Sequence, residues 1–307
     1  MPPFSWSKSR DGTFRRCLRE YYYQYYVSRD RAATAADPAA REILIMSTLR
    51  TRPMWVGSAV HEQAHLIVTG ARMANPPSSE QVLRRLRRRM EADWQASLAG
   101  RYREDPKGTP GLVEHYYGEP VGPADLESDL ALASRCIQNV YQTEPYRLLA
   151  GDPSVRILEA ESLGRLNLSG LTVWVVLDLA LRLSDGRLVI VDWKTGRDIG
   201  GPTVRLQLAV YALYAASKFA VSAGAISTWE MSLSDACLIE HRADAGSLAW
   251  AEETILTSAR QMRSLLVDAA ANRARELDFP MTEDCSLCAC CSFRRACGRG
   301  AQPPNQS

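Results

Sequence analysis

Residues 173–194 read Val-Trp-Val-Val-Leu-Asp-Leu-Ala-Leu-Arg-Leu-Ser-Asp-Gly-Arg-Leu-Val-Ile-Val-Asp-Trp-Lys. Stretches 173–183 and 187–194 are runs of strand-forming residues, and Ser184-Asp185-Gly186 between them carries turn chemistry, so the segment predicts a β-hairpin. Its register decides its use. A two-residue Asp185-Gly186 turn pairs Asp178 with Trp193 and sends the carboxylates of Asp178 and Asp192 to opposite faces, because side chains alternate along a strand. A three-residue loop, with Gly186 in the left-handed conformation, pairs Leu183 with Arg187 and Asp178 with Asp192. Asp178, Asp192 and Lys194 then share a face.

Charged groups on apolar strands are costly unless they meet one another or a cation. Asp178 and Asp192 offer hard oxygen ligands suited to Mg²⁺ or Mn²⁺, and the Trp193 carbonyl adds another. Lys194 is near enough to orient an attacking water and to stabilise charge developing on a phosphate. Asp-x-Lys alone is a short match, and an ion pair at a strand end explains it equally well. The rest of the chain decides between the two.

With 307 residues and 46% hydrophobic content the chain has ample material for a packed core. No apolar run approaches a membrane span, and the opening Met1-Pro2-Pro3-Phe4-Ser5-Trp6 lacks a secretory pattern; a cytoplasmic location is expected. A net charge of +2 creates no global field for nucleic acid, so attraction must come from local patches such as Arg84, Arg85, Arg87, Arg88 and Arg89. That run is either a solvated helix face or a phosphate-contacting one. Lysine occurs only at Lys8, Lys107, Lys194 and Lys218, so a lysine ending an apolar strand stands out. Five of the eight cysteines, Cys285, Cys288, Cys290, Cys291 and Cys297, crowd into one short segment. Clustered thiols in an intracellular setting point to a metal or an iron-sulfur cluster. Cys136 and Cys237 sit alone in periodic segments and are expected in the core.

Along the chain, a loop from residue 5 leads into a tyrosine-rich helix ending near Tyr26. Residues 32–41 read as a connector. Gly57 opens a helix carrying His61 and His65 one turn apart, and Ser78 or Ser79 caps a basic helix running towards Tyr102. A loop over 105–123 and a helix over 125–149 follow. Strands start near Val155. After the hairpin, Gly200-Gly201-Pro202 breaks the chain and starts a helix on which Gln207, Tyr211 and Tyr214 form one stripe. Strands over 225–231 and 237–242, a helix over 246–277, the cysteine-rich segment and a frayed end at 302–307 complete the order. Glu159 and Glu161, one strand ahead of the hairpin, are candidates to support a metal shell or are simply exposed strand carboxylates. No phosphate-binding Gly-x-x-x-x-Gly-Lys loop is present.

Gly57-x-x-x-His61, Asp178, Asp192-x-Lys194 and Gln207-x-x-x-Tyr211, in that order and on those elements, resemble the PD-(D/E)XK nuclease superfamily, specifically RecB-like exonucleases. Cys288-x-x-Cys291 followed by Cys297, with distant Cys17 in Phe14-x-x-Cys17-x-Arg19-x-x-Tyr22, is similar to the iron-sulfur branch found in AddB-type helicase-nucleases and CRISPR-adaptation nucleases. The resemblance covers nearly the whole chain and is weakest over 72–153. It implies an α/β fold: a restriction-endonuclease-like mixed sheet flanked by helices, a helical N-terminal region, and a cysteine-ligated cluster joining the termini. The corresponding division is residues 1–30 contributing Cys17, a helical region 31–153, a nuclease core 154–278, a cluster segment 279–300 and a tail 301–307.

By the same resemblance His61, Asp178 and Asp192 with the Trp193 carbonyl hold Mg²⁺ or Mn²⁺, Lys194 is catalytic, Gln207 and Tyr211 support it, and Cys17, Cys288, Cys291 and Cys297 hold a 4Fe-4S cluster. Four thiolates suit tetrahedral zinc as well, and Cys285 is an alternative ligand. The expected function is metal-dependent cleavage of DNA, as an exonuclease on single-stranded DNA or free ends, in repair, recombination or defence, with a helicase or defence-complex partner. The alternative is a non-catalytic nucleic-acid-binding iron-sulfur subunit. Where the family places a glycine shortly before the first acid, this chain has Val175-Val176-Leu177-Asp178, which narrows the room there. Tyr21, Tyr22, Tyr23, Tyr25 and Tyr26 are available either to stack bases or to pack beside the cluster.

Overall fold

The computed structural model describes residues 3–73, 75–196 and 200–299; the expected frayed end at 302–307 lies outside them. A short strand, β1 (Ser5–Ser7), leads into α1 (Lys8–Arg16), whose first turn is capped by Ser7 Oγ accepting the Arg10 N–H, and then into α2 (Leu18–Tyr25). The expected connector at 32–41 is instead helical, falling in α3 (Arg31–Ala36) and α4 (Pro38–Thr48). Asp30 caps Ala32 and Ala33, Asp37 caps Ala39, and Pro38 opens α4, so the start signals lay in caps rather than in apolar periodicity.

Helix α5 (Arg52–Gly70) starts upstream of the expected Gly57, with Pro53 in its first turn. Helix α6 (Ser79–Leu98) begins as expected, Ser78 and Gln81 capping each other's backbone. The loop expected over 105–123 contains α7 (Val113–Tyr117), and the helix expected over 125–149 is two, α8 (Pro123–Val140) and α9 (Glu144–Gly151). Pro145 explains the break, since its ring fits a helix start and not an interior. Strands β2 (Arg156–Leu168), β3 (Leu171–Arg182) and β4 (Leu188–Lys194) come next. Helix α10 (Pro202–Phe219), β5 (Ile226–Ser232), β6 (Cys237–Arg242) and α11 (Ala245–Ser264) follow. Helix α11 stops well short of residue 277. Asp268 bridges to Arg273 around Asn272, whose φ is +50°, so a turn interrupts an alanine-rich run that propensity alone would keep helical.

The chain forms two compact units. One comprises Pro53–Glu91 and Gly122–Leu256, the other Met1–Arg52, Ala92–Val121 and Thr257–Ser307. The first holds a mixed sheet in which β2, β3 and β4 are antiparallel neighbours, β4 and β5 are parallel, and β5 and β6 are antiparallel. Helix α10 makes the crossover between the parallel strands and packs on the sheet. Strands β4 and β5 are buried almost throughout, which accounts for the unbroken apolar run around Asp192. β3 begins differently. From Val173 to Val176 it alternates buried and exposed, so one face of that end is open. Cys136 is in the core as expected, whereas Cys237, at the start of edge strand β6, is exposed.

The second unit is built on aromatic packing. Tyr23, Ile45, Met46, Leu49, Tyr102, Val113, Tyr116 and Phe293 form one buried cluster. Tyr21, Tyr22 and Tyr26 lie with their ring centroids 6.0, 5.4 and 5.7 Å from that of Phe279, and the Arg19 N–H donates to the Pro280 carbonyl at 3.1 Å. Tyr21, Tyr23, Tyr25 and Tyr26 are all buried, so they pack and are not free to stack on bases.

Candidate active site

The hairpin takes the three-residue loop. Leu183 N–H donates to the Arg187 carbonyl at 2.9 Å, Gly186 has a φ of +87°, and the ladder runs Arg182–Leu188, Leu181–Val189, Ala180–Ile190, Leu179–Val191. The next opposed pair is Asp178 and Asp192. There the backbone ladder stops and a side chain takes over: the Trp193 N–H donates to Asp178 Oδ2 at 2.8 Å. A buried N–H is thereby satisfied, and the acid is fixed in the sheet plane.

Glu161 completes the row. Between Ile157 and Glu159 the β2–β3 register shifts by one residue, after which Ala160 opposes Leu179 and Ser162 opposes Leu177. Without the shift Asp178 would face Ala160; with it, Asp178 faces Glu161, the use of a bulge to re-aim a side chain. Glu161 also has a φ of +50°, an unfavourable conformation for a residue with a side chain. Glu159 goes elsewhere: it accepts from Tyr214 Oη at 3.0 Å and pairs with Lys218.

From α5, His61 points Nδ1 at Glu161 Oε1 (3.2 Å) and Asp178 Oδ1 (3.5 Å), and Nε2 at the Trp193 carbonyl (3.1 Å). Among the described residues, His61, Glu161 and Asp178 are the group whose ligand atoms all lie within 4.8 Å of one another. Asp192 sits beside this group and is held differently. Lys194 Nζ is 2.7 Å from Asp192 Oδ2, while Gln207 Nε2 donates to Asp192 Oδ1 at 2.9 Å and accepts Lys194 Nζ on its own Oε1 at 3.2 Å. The ammonium and the amide thus hold the buried Asp192 carboxylate between them. Gln207 Nε2 also lies 2.8 Å from Tyr211 Oη, joining the two helix residues one turn apart.

The electrostatics follow from three crowded carboxylates. Burial alone would lower the His61 pKa, but the facing carboxylates of Asp178 and Glu161 outweigh it and raise the imidazole to about 10. Burial, reinforced by the charge of Asp178, lifts Asp192 to about 6 against the pull of Lys194. Burial and the two aspartates push Tyr211 well above its ordinary range, so it stays a protonated donor. Such a site has an excess of anionic oxygen that a divalent cation would relieve.

A family model described as the PD-(D/E)XK nuclease superfamily matches residues 5–298. The chain belongs to the PD-(D/E)XK nuclease superfamily. Membership brings metal-dependent nuclease chemistry with DNA as the substrate, and the mixed sheet flanked by helices is the fold it implies. Among solved structures the chain is similar to one described as "Crystal structure of SSO0001", at 14% identity and a TM-score of 0.32 over 81% of this chain and 98% of that one. A search of curated proteins gives no match. No described helix is long and apolar enough to cross a membrane.

For a superfamily member, the sequence missed one contributor to the core of the site. Glu161 was legible only as one of two glutamates, and the choice between them turns on the register shift. The remaining site residues meet: His61, Asp178, Asp192, the Trp193 carbonyl, Lys194, Gln207 and Tyr211. The arginine run on α6 proves largely self-neutralised, with Arg84 paired to Glu80, Arg85 and Arg89 to Glu62, and Arg87 to Glu91 and Glu127. That pattern is a solvated helix face.

In the other unit Cys17, Cys288, Cys291 and Cys297 line one small cavity together with Glu20 and Arg299. Cys285 and Cys290 are exposed and do not line it. Burial pushes the Cys291 thiol up to about 12, and burial with the neighbouring Cys17 pushes Cys297 up to about 11. Arg299 Nη1 lies 3.5 Å from Cys285 Sγ and 3.7 Å from Cys288 Sγ.

Proposed function

We propose that the protein is an exonuclease that hydrolyses phosphodiester bonds at single-stranded DNA ends or flaps, using Mg²⁺ or Mn²⁺ held by His61, Glu161, Asp178, Asp192 and the Trp193 carbonyl. The observation that carries this reading is the row of carboxylates Glu161, Asp178 and Asp192 across three adjacent strands, with His61 at one end and Lys194 at the other. The donor set is mainly hard oxygen with one imidazole, which suits Mg²⁺ and suits Mn²⁺ better. A divalent cation there supplies Lewis-acid stabilisation of the phosphoryl oxygens and lowers the pKa of the attacking water.

The chain's own residues do the positioning. Asp192 and Gln207 hold the Lys194 ammonium in one orientation, so its positive charge is already in place where negative charge develops on phosphate. Tyr211 and Asp192 fix the Gln207 amide, and Asp178 is fixed by the Trp193 N–H. Single-stranded substrate is supported by the open end of β3. Val176 and Trp174, two and four residues before Asp178 on its face, are 38% and 39% exposed, and across the ladder from them are Leu163 and Arg165. An exposed indole beside an arginine, leading to the acids, fits unpaired bases and a phosphate backbone.

The cysteine cavity supports a structural 4Fe-4S cluster on Cys17, Cys288, Cys291 and Cys297. A cytoplasmic role in repair, recombination or defence beside a helicase partner completes the proposal.

Digestion of end-labelled single- and double-stranded DNA with Mg²⁺ or Mn²⁺ tests it, with Asp192→Ala and Lys194→Ala as controls. Stepwise loss of terminal nucleotides by the wild type and none by the variants is expected. Binding without metal-dependent cleavage would make the protein a non-catalytic DNA-binding subunit instead. Visible absorption of anaerobically purified protein, with iron and zinc analysis, separates cluster from zinc.

A further inference from the structure

Glu159 is the glutamate of β2 that the catalytic row leaves out, and its contacts bear on Glu161, which the row takes in. Glu159 is 8% exposed, and its Oε1 accepts the Tyr214 hydroxyl at 3.0 Å and the Lys218 ammonium. Lys218 Nζ also donates to Tyr214 Oη at 2.8 Å, so the three groups close on one another. Tyr214 and Lys218 stand one turn apart on α10. A buried carboxylate held by a hydroxyl and an ammonium is settled in that place and costly to move from it.

That place depends on the register of β2. Glu159 opposes Ala180, and Ala160 opposes Leu179. Opposed residues share a face and faces alternate along a strand, so Glu159 projects on the side of Ala180 and Asp178. This is the side on which α10 carries Gln207 to Asp192. Had the pairing of Ile157 with Leu181 continued without a shift, Glu159 would oppose Leu179 and project from the other side of the sheet, out of reach of Tyr214 and Lys218. The same slip would set Ala160 against Asp178 and take Glu161 away from it. The contacts of Glu159 and the placement of Glu161 are therefore two consequences of one register, and whatever favours the first favours the second.

Tyr214 touches β2 again beyond Glu161. Gly164 lies against its ring, and a Cβ at that position would overlap the hydroxyl and Cζ, so glycine admits the close approach. One buried tyrosine thus meets the strand two residues before Glu161 and three residues after it. Between those points Glu161 takes its φ of +50°, a conformation that persists only where the surroundings impose it.

We propose that Tyr214, with Glu159 and Lys218, is a positioning device that holds β2 in the shifted register and so delivers the Glu161 carboxylate to His61. Its consequence for cation binding rests on the reading of Glu161 as a ligand, whereas the placement itself is a property of the cation-free chain. Tyr214 meets no reacting atom. It acts on the strand, as Gln207 on the same stripe of α10 acts on Lys194.

The test uses the full chain as wild type, Tyr214→Phe, Glu159→Leu, Glu161→Gln and the double variant Tyr214→Phe/Glu161→Gln, with thermal melts to show that each folds. In the cation-free protein, ¹⁵N NMR of the histidines, assigned with His61→Gln, reports whether Glu161 Oε1 stays beside His61 Nδ1, 3.2 Å away. Glu161→Gln sets the displacement of the His61 signal for a lost carboxylate, and Tyr214→Phe and Glu159→Leu should each move it at least halfway there. Mn²⁺ titration reads the consequence. Each single variant should weaken binding at least fivefold, and Tyr214→Phe should add less than twofold in the Glu161→Gln background, because it acts through that carboxylate. A His61 signal left at its wild-type position in folded Tyr214→Phe or Glu159→Leu, or an independent loss in the double variant, overturns the proposal and reduces the three groups to a stabilising contact. So does a His61 signal that Glu161→Gln leaves in place. Mn²⁺ affinity unaltered by Glu161→Gln, with the His61 displacements as expected, removes Glu161 from the cation site and leaves its positioning by Tyr214 standing.

Discussion

Cation binding should be a proton-exchange reaction, and His61 sets its size. In the cation-free site the imidazole is held near pKa 10 by Asp178 and Glu161, so it is protonated at neutral pH and has no lone pair to offer on either nitrogen. Ligation must displace that proton. Near pH 7.5 the displacement costs about 3 kcal/mol, roughly 300-fold in apparent affinity, at about 1.4 kcal/mol per pH unit. The apparent association constant for Mn²⁺ should therefore rise about tenfold per pH unit from about pH 6.5 to 9, with close to one proton released per ion. As pH falls through about 6, Asp192 protonates too and the slope steepens towards two. Glu161→Gln removes one of the two carboxylates that raise His61, so fewer protons should be released and the slope should flatten. Calorimetric titration of Mn²⁺ in two buffers of different ionisation enthalpy reads the proton count directly. A pH-independent affinity with no proton released would show that His61 is not a ligand and that the ion, if bound, sits elsewhere.

Other expectations follow from single contacts. Lys194→Ala should lower kcat by about 100- to 1000-fold, the usual loss when one charge-stabilising donor is removed, with Mn²⁺ affinity unchanged or higher. Gln207→Leu frees Lys194 and Asp192 to move and should lower kcat by about tenfold with little change in KM, read by single-turnover digestion. Trp174→Ala should weaken binding of single-stranded DNA by roughly 10- to 100-fold, as measured by fluorescence anisotropy with a catalytically inactive variant, and leave duplex binding less affected. In the cation-free protein the raised pKa of Asp192 means that the folded state binds the extra proton between pH 3.8 and about 6. Stability should thus fall as pH rises through that window, and Asp192→Asn should remove this part of the slope in thermal melts.

The hairpin, its register and the crossover helix were legible because each rests on a short-range rule: Gly186 in the left-handed region, period-two alternation, and Pro202 after paired glycines. The stripe of Gln207, Tyr211 and Tyr214 was readable for the same reason, and all three meet polar partners on the sheet or along the helix. Glu161 was not separable from Glu159 because a one-residue bulge, invisible in the sequence, decides which glutamate faces Asp178. The end of α11 was missed because Ala269, Ala270 and Ala271 have high helix propensity that the Asp268 turn overrides. The periodic neighbours of Cys237 predict a buried thiol, but β6 is an edge strand with no sheet neighbour beyond it among the described residues, and the thiol is exposed.

The packing of Tyr23 on Phe293, with ring centroids 5.8 Å apart, and of Arg19 on Pro280 ties residues near one end of the chain to residues near the other. During translation, the aromatic cluster of that unit stays incomplete until the ribosome has delivered residue 293, long after the strands bearing the acids have emerged. Nascent chains should acquire the nuclease sheet first and wait, with Tyr21 and Tyr23 uncovered, for the last segment to arrive. A premature stop after α11 and before Phe293 would consequently yield a polypeptide with an intact catalytic row and an exposed aromatic surface, a natural client for chaperones and proteases.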